Sequence, residues 1–154
     1  NQSIKQVEHN GKTQTVSGTG EVTISEVHLL DEQGNVTEFV SVGHRLSLQV
    51  NVEVKDDIPE LVVGYMIKDR LGQPIFGTNT YHLNQKGEKR SILFSFDARL
   101  GVGSYSVAVA LHTSSTHLGK NYEWRDLAVV FNVVNTEQQE FVGVSWLPPE
   151  LEIS

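Results

Sequence analysis

Between His112 and Asp126 the sequence runs HTSSTHLGKNYEWRD, and this stretch gathers side chains that could do chemistry together. Tyr122 and Trp124 supply rings, while His112, Asn121, Arg125 and Asp126 supply hydrogen-bond donors and acceptors. That mixture suits a ligand with a flat apolar C–H face and a rim of hydroxyls, which is how a sugar presents itself. Trp124 has a second reading, as a cap on one end of a core, because tryptophan is usually largely buried.

Two further stretches bear on the same chemistry. In SYSVAVALH, residues 104–112, Tyr105, Val107, Val109 and Leu111 form the apolar side of a strand. Its other side carries Ser106, Ala108, Ala110 and His112, and alanine is a poor choice for a strand face that meets water. Something is expected to cover that small, smooth surface. In GTNTYHL, Thr78, Thr80 and His82 alternate with Asn79 and Tyr81, so one set faces away from the core. It either lines a groove or belongs to an ordinary Thr-rich edge strand.

Other chemistries find less support. His9, His28, His44, His82, His112 and His117 include one close pair, His112 and His117, with no third ligand at an evident spacing, so no metal site is expected. Asp56 and Asp57 are adjacent, and neighbours on an extended chain diverge, which reads as a solvated turn rather than an acid–base pair. GTGEVT lacks the third glycine of a dinucleotide loop and leads into a strand. The sequence has no G-x-x-x-x-G-K-[ST], no G-x-S-x-G and no H-E-x-x-H, so neither catalysis nor a cofactor is expected.

The elements that must position these residues are strands. The chain has 154 residues, 38% hydrophobic and 20% charged, enough for one sizeable core but tight for two domains. From Glu21 onward, short β runs alternate with turn signals: EVTISEVHLL, TEFVSV, RLSLQVNVEV, LVVGYMIKD, PIFGTNTYHL, RSILFSFDA, SYSVAVALH, LAVVFNVV and finally FVGVSW. No segment sustains a helical period. About eight or nine strands of this kind predict an all-β, immunoglobulin-like antiparallel sandwich, with a jelly roll as the alternative. In that order LVVGYMIKD, SYSVAVALH and LAVVFNVV are neighbours. Their outward residues would be Val62, Gly64, Met66 and Lys68, then Ala108 and Ala110, then Ala128, Val130 and Asn132.

The net charge of −7 argues against a nucleic-acid or anionic-membrane partner. No apolar run is long enough to span a bilayer, and the absence of cysteine fits a reducing compartment. Residues 1–18 are polar and without period, as in a linker, which leaves 19–154 as the domain. Because the chain starts at Asn1, a fragment or processed chain is expected, with something upstream. Within 135–154, FVGVSW follows the polar NTEQQE, which could let this segment exchange with a second copy in a homodimer.

Taken in order, GTGEVTISEVHLLDEQG, LVVGYMIKDRLGQPIFGTNT, LGVGSYSVAVALH and YEWRDLAVVFNV resemble the carbohydrate-binding C-terminal domain of polysaccharide ABC transporters, the Wzt type. The resemblance runs from about Gly18 to Val134, and VGYMIKDRLGQPIFGTNT is its most specific part. It implies a cytoplasmic, non-enzymatic module at the inner face of the bacterial inner membrane. That module would recognise the terminal structure of an O-antigen polysaccharide. Its partners would be an ATPase domain in the same full-length chain and a membrane subunit. Trp124, Tyr122, Arg125, His112, Asn121, Lys68, Ala108 and Ala110 are then the expected glycan contacts. The rival reading is a structural or adhesion-type sandwich whose exposed patch is a protein interface. A glycan-processing enzyme ranks last, for want of a placed carboxylate pair.

Overall fold

The computed structural model describes residues 3–9, 12–18, 22–54, 61–81, 83, 90–113 and 121–154, with the backbone alone for 3–9, 12–18, 121 and 122. Among them are β1 (Ser3–His9), β2 (Lys12–Gly18), β3 (Val22–Leu30), β4 (Phe39–Ser41) and β5 (Arg45–Val54). Then come β6 (Val62–Asp69), β7 (Pro74–Asn79), β8 (Ser91–Asp97), β9 (Gly103–His112) and β10 (Asn121–Val134). The turns between them follow from local chemistry. Asp69 Oδ1 accepts from the backbone N–H of Leu71 and of Gln73, both at 2.9 Å, and Gly72 takes a φ of 81° to close the β6–β7 hairpin. Asp31 does the same for Gln33 and Asn35 after β3.

The larger sheet runs β1-β2-β10-β9-β6-β7, with β4 joining β10 in parallel, and the smaller one runs β3-β5-β8. The strands β3 to β10 form the sandwich, and its topology is immunoglobulin-like. Strict alternation drives it. On β5, Leu46, Leu48, Val50 and Val52 are buried between the sheets, and on β9 so are Tyr105, Val107, Val109 and Leu111. Each such side chain contributes roughly 1.5–3 kcal/mol of transfer free energy. Tyr105 also ties the fold at one corner. Its hydroxyl donates 2.7 Å to the Gly101 carbonyl four residues upstream, the tyrosine corner of sandwich folds.

Several expectations change here. Residues 3–9 and 12–18, expected as a linker, form a β-hairpin whose second strand pairs with Glu123–Arg125. A two-stranded ribbon is held by main-chain hydrogen bonds, which leave no trace in an apolar period. Residues 121–126, which precede the strand expected at LAVVFNVV, are the first part of β10. Ala128, expected on the outer face, lies in the core. A bulge explains it: Leu127 has a φ of 50°, and the β9–β10 register shifts between Arg125 and Val129. The strand expected at Phe141–Trp146 is a single bridge, Leu100 to Ser145, because Gly143 turns out of extended geometry at a φ of 101°.

That C-terminal segment folds onto its own sandwich as far as Trp146. Gly101 N–H donates to Val144 O at 3.0 Å and Trp146 N–H to Arg99 O at 3.1 Å. The crossing is so close that a Cβ on Gly101 would lie 1.7 Å from the Gly143 carbonyl oxygen. Phe141 and the Trp146 ring pack on the core, and Glu137 hydrogen-bonds His44. Asp56, Asp57, His82 and His117 lie outside the described residues.

Candidate functional site

The outer face of β6, β9 and β10 holds an open groove of about 370 Å³. Register explains its shape. Asn79, Gly64, Ala110 and Trp124 stand opposite one another across β7, β6, β9 and β10, and paired residues share a face. Two small residues are thus flanked by two larger ones. Adjacent strands lie about 4.8 Å apart, so Asn79 and Trp124 stand roughly 14 Å apart across that floor. The next row continues it with Gly77, Met66 and Ala108.

The floor is partly main chain. A Cβ on Gly64 would come within 3.0 Å of the Asn79 Cβ, and one on Gly77 within 3.2 Å of the Tyr65 carbonyl oxygen. Strand-interior glycine of this kind marks a close approach to backbone, and that was the signal by which Gly77 and Asn79 could have been singled out. Ala108 is only 3% exposed although it lies on the outer face, so its neighbours already cover it. Ala110 is half-buried and forms open floor.

The walls carry the polar and aromatic groups. Trp124 is 39% exposed and lines the groove rather than capping the core. Lys68 Nζ lies 5.5 Å from the centroid of its ring and 3.5 Å from Asp126 Oδ1. The Leu127 bulge places Asp126 there, and Asp126 Oδ1 also accepts from Leu127 N–H at 3.0 Å. His112 lies 2.7 Å through Nδ1 from the Thr113 carbonyl. A carbonyl can only accept, so Nδ1 carries the proton and a neutral ring keeps Nε2 as an acceptor. Thr78 and Asn79 line the groove as well, whereas Thr80 is buried, its Oγ1 accepting from Val63 N–H at 3.1 Å.

Arg125 does not join them. Its strand position faces inward, where its guanidinium donates 2.8 Å to the Ile24 carbonyl and lies 3.2 Å from Glu123. Both Glu123 oxygens accept from Ile24 N–H at 3.3 Å, so the pair clamps β3 to β10. Burial pushes the Glu123 carboxyl above its ordinary pKa, and Arg125 and the Ile24 N–H work against that shift. The structure therefore brings together Trp124, Lys68, His112, Ala108 and Ala110, and leaves Arg125 on the opposite face. Asn121 stands opposite His112 by backbone register, and Tyr122 lies at the neighbouring register shift. Among the described residues no group of three His, Asp or Glu is placed to hold a metal.

An immunoglobulin-like sandwich with an open groove on one outer face has the build of a binding module. A family model of the Wzt C-terminal domain matches residues 13–147, and the chain belongs to that family. Its fold is similar to the crystal structure of the C-terminal domain of Wzt, at a TM-score of 0.77 and 18% identity over 92% of this chain and 89% of that one. The soluble domain of PmoD from Methylocystis sp. ATCC 49242 (Rockwell) is more distant, with a TM-score of 0.39 and 11% identity over 84% of this chain and 96% of that one. No curated protein matches the chain.

Proposed function

We propose that this domain is a non-catalytic module that holds the terminal structure of an O-antigen polysaccharide in the outer-face groove, selecting that polymer for export by an ABC transporter. Family membership supports a carbohydrate-binding module of an O-antigen exporter. The observation that carries the site is the row Asn79–Gly64–Ala110–Trp124, an aromatic wall and an amide wall across a smooth floor. A ring laid on that floor meets Trp124 with its C–H face and Asn79 and His112 with its hydroxyls. In this reading an ATPase domain of the full-length chain and a membrane subunit are the partners, and the module works at the inner face of the bacterial inner membrane.

Titrating the domain with O-polysaccharide from its own source and from unrelated strains tests this reading. Saturable binding of its own polymer, recovered at unchanged length, is the expected result. Equal affinity for all polymers, or shortening of the bound one, would overturn it.

The last residues support a homodimer. Leu147, Leu151 and Ile153 are 80%, 80% and 85% exposed beyond the point where the chain leaves its own sandwich. In this reading residues 147–154 cross to a second copy, where they are covered. Deleting 147–154 should convert a dimer to a monomer in light scattering. A full-length domain that is monomeric at micromolar concentration would end the idea.

A further inference from the structure

A second depression, of about 170 Å³, lies on the same outer face beyond the Lys68–Asp126 ion pair, and Lys68 lines both. Its floor is formed by Val130 and Ser106, opposite each other on β10 and β9, and by Ser104. The β6–β7 turn forms its rim with Arg70 and Gly72. Its two carboxylates are committed: Asp69 Oδ1 accepts from Leu71 and Gln73 N–H, and Asp126 Oδ1 from Leu127 N–H while facing Lys68. The exposed Arg70 guanidinium and the Ser106 hydroxyl have no partner among the described residues. The depression therefore combines a floor of one valine and two serines with donors and acceptors around it, and offers no exposed ring, since Tyr105 lines it but is 3% exposed with its ring stacked on Phe131.

We propose that this depression is a second saccharide subsite, occupied by a sugar farther back along the glycan whose end lies between Trp124 and Asn79. It rests on that reading of the groove. Ala110 and Ser106 are four residues apart on β9, so the two floors are about 13–14 Å apart along the strand, farther than one ring and its linkage reach. The intervening sugar bridges Met66 and Lys68. With no aromatic surface to stack on, the second subsite reads hydroxyl pattern, and the domain distinguishes polymers with identical ends but different repeats.

Sized fragments from partial hydrolysis of the source's own O-polysaccharide, titrated one length at a time into the whole domain, test this. Affinity should step up about tenfold when fragments become long enough to span both floors, the effect of one or two net hydrogen bonds. Ser106→Phe fills the second depression and should abolish the step, leaving the shortest fragments bound as before. Arg70→Ala, on an exposed turn where folding is not at stake, should reduce the step severalfold. Full affinity with the shortest fragment, or a step that survives both changes, overturns the second subsite while leaving the first in place. If no fragment of any length binds the wild-type domain, the groove reading itself fails, and this inference with it.

Discussion

Replacing Trp124 with alanine removes one wall of the groove and leaves the backbone ladder intact. Residue 124 pairs through its main chain with Ala110 and Ser17, which alanine permits equally well. The ring is 39% exposed, and its one described polar contact is Lys68 Nζ at 5.5 Å, which retains Asp126 at 3.5 Å. An exposed cation–π contact is worth about 0.5–1 kcal/mol, and the covered three-fifths of the side chain adds about 2–3 kcal/mol of transfer free energy at roughly 25 cal/mol per Å². At roughly 2–4 °C per kcal/mol for a domain this size, the melting temperature falls by about 5–15 °C while unfolding stays cooperative. Stacking of a ring is worth about 0.5–1.5 kcal/mol beyond area burial, and the same scale for a sugar face weakens Kd about 2- to 12-fold. Calorimetric titration with the O-polysaccharide, beside a thermal melt of each protein, measures both quantities. Trp124→Phe should restore most of the affinity. The reasoning is refuted if Trp124→Ala binds as wild type, or if it loses cooperative unfolding, which would make the ring a core residue.

The two floor alanines should respond differently. Ala110→Arg blocks binding in a domain that still melts cooperatively, whereas Ala108→Arg also lowers the melting temperature, because it forces a charge into a site that is 3% exposed. Tyr105→Phe leaves the Gly101 carbonyl without its donor and should cost about 1–3 kcal/mol in denaturant unfolding, with glycan affinity unchanged. Glu123 has a raised pKa in the folded state, so folding binds a proton more tightly there and stability falls as pH rises through that pKa. Glu123→Gln removes this slope. Melting temperatures measured from below pH 4.5 upward should show the wild type losing ground to the variant, and parallel curves would show that Glu123 is not the cause.

How much of this was legible in the sequence depended on period. The inward sets of β5 and β9 alternate cleanly, and they led to the sandwich, the β6–β9–β10 neighbourhood and the small outer face. The start of β10 did not, because Glu123 and Arg125 occupy inward positions and erase the apolar alternation there. Ala128 was misplaced because four residues of β10 stand against two of β9 between Arg125 and Val129, which turns Ala128 inward before the expected facing resumes at Val130, and Leu127 is not a residue type that announces a positive φ. The tyrosine corner was spelled out in LGVGSY, but the contact joins a hydroxyl to a main-chain carbonyl and leaves no pattern of residue types. Asn79 became a wall only through its register with Gly64, which depends on where the β6–β7 hairpin turns.

The alternation along β9 has a consequence for how such a domain diversifies. Its inward residues hold the two sheets together and are constrained by packing, while Ser104, Ser106, Ala110 and His112 project from the other side of the same strand. Substitution at Ser106, Ala110 or His112 redraws the proposed recognition surface with little effect on folding, whereas Ser104 also donates 2.6 Å to Asn132 Oδ1. Gly64 has no such freedom, since an added Cβ meets Asn79 at 3.0 Å. If the groove holds the polymer as proposed, this framework can be fitted to a different polymer through a handful of positions, while Gly64 and Ala108 form the unyielding part of the floor.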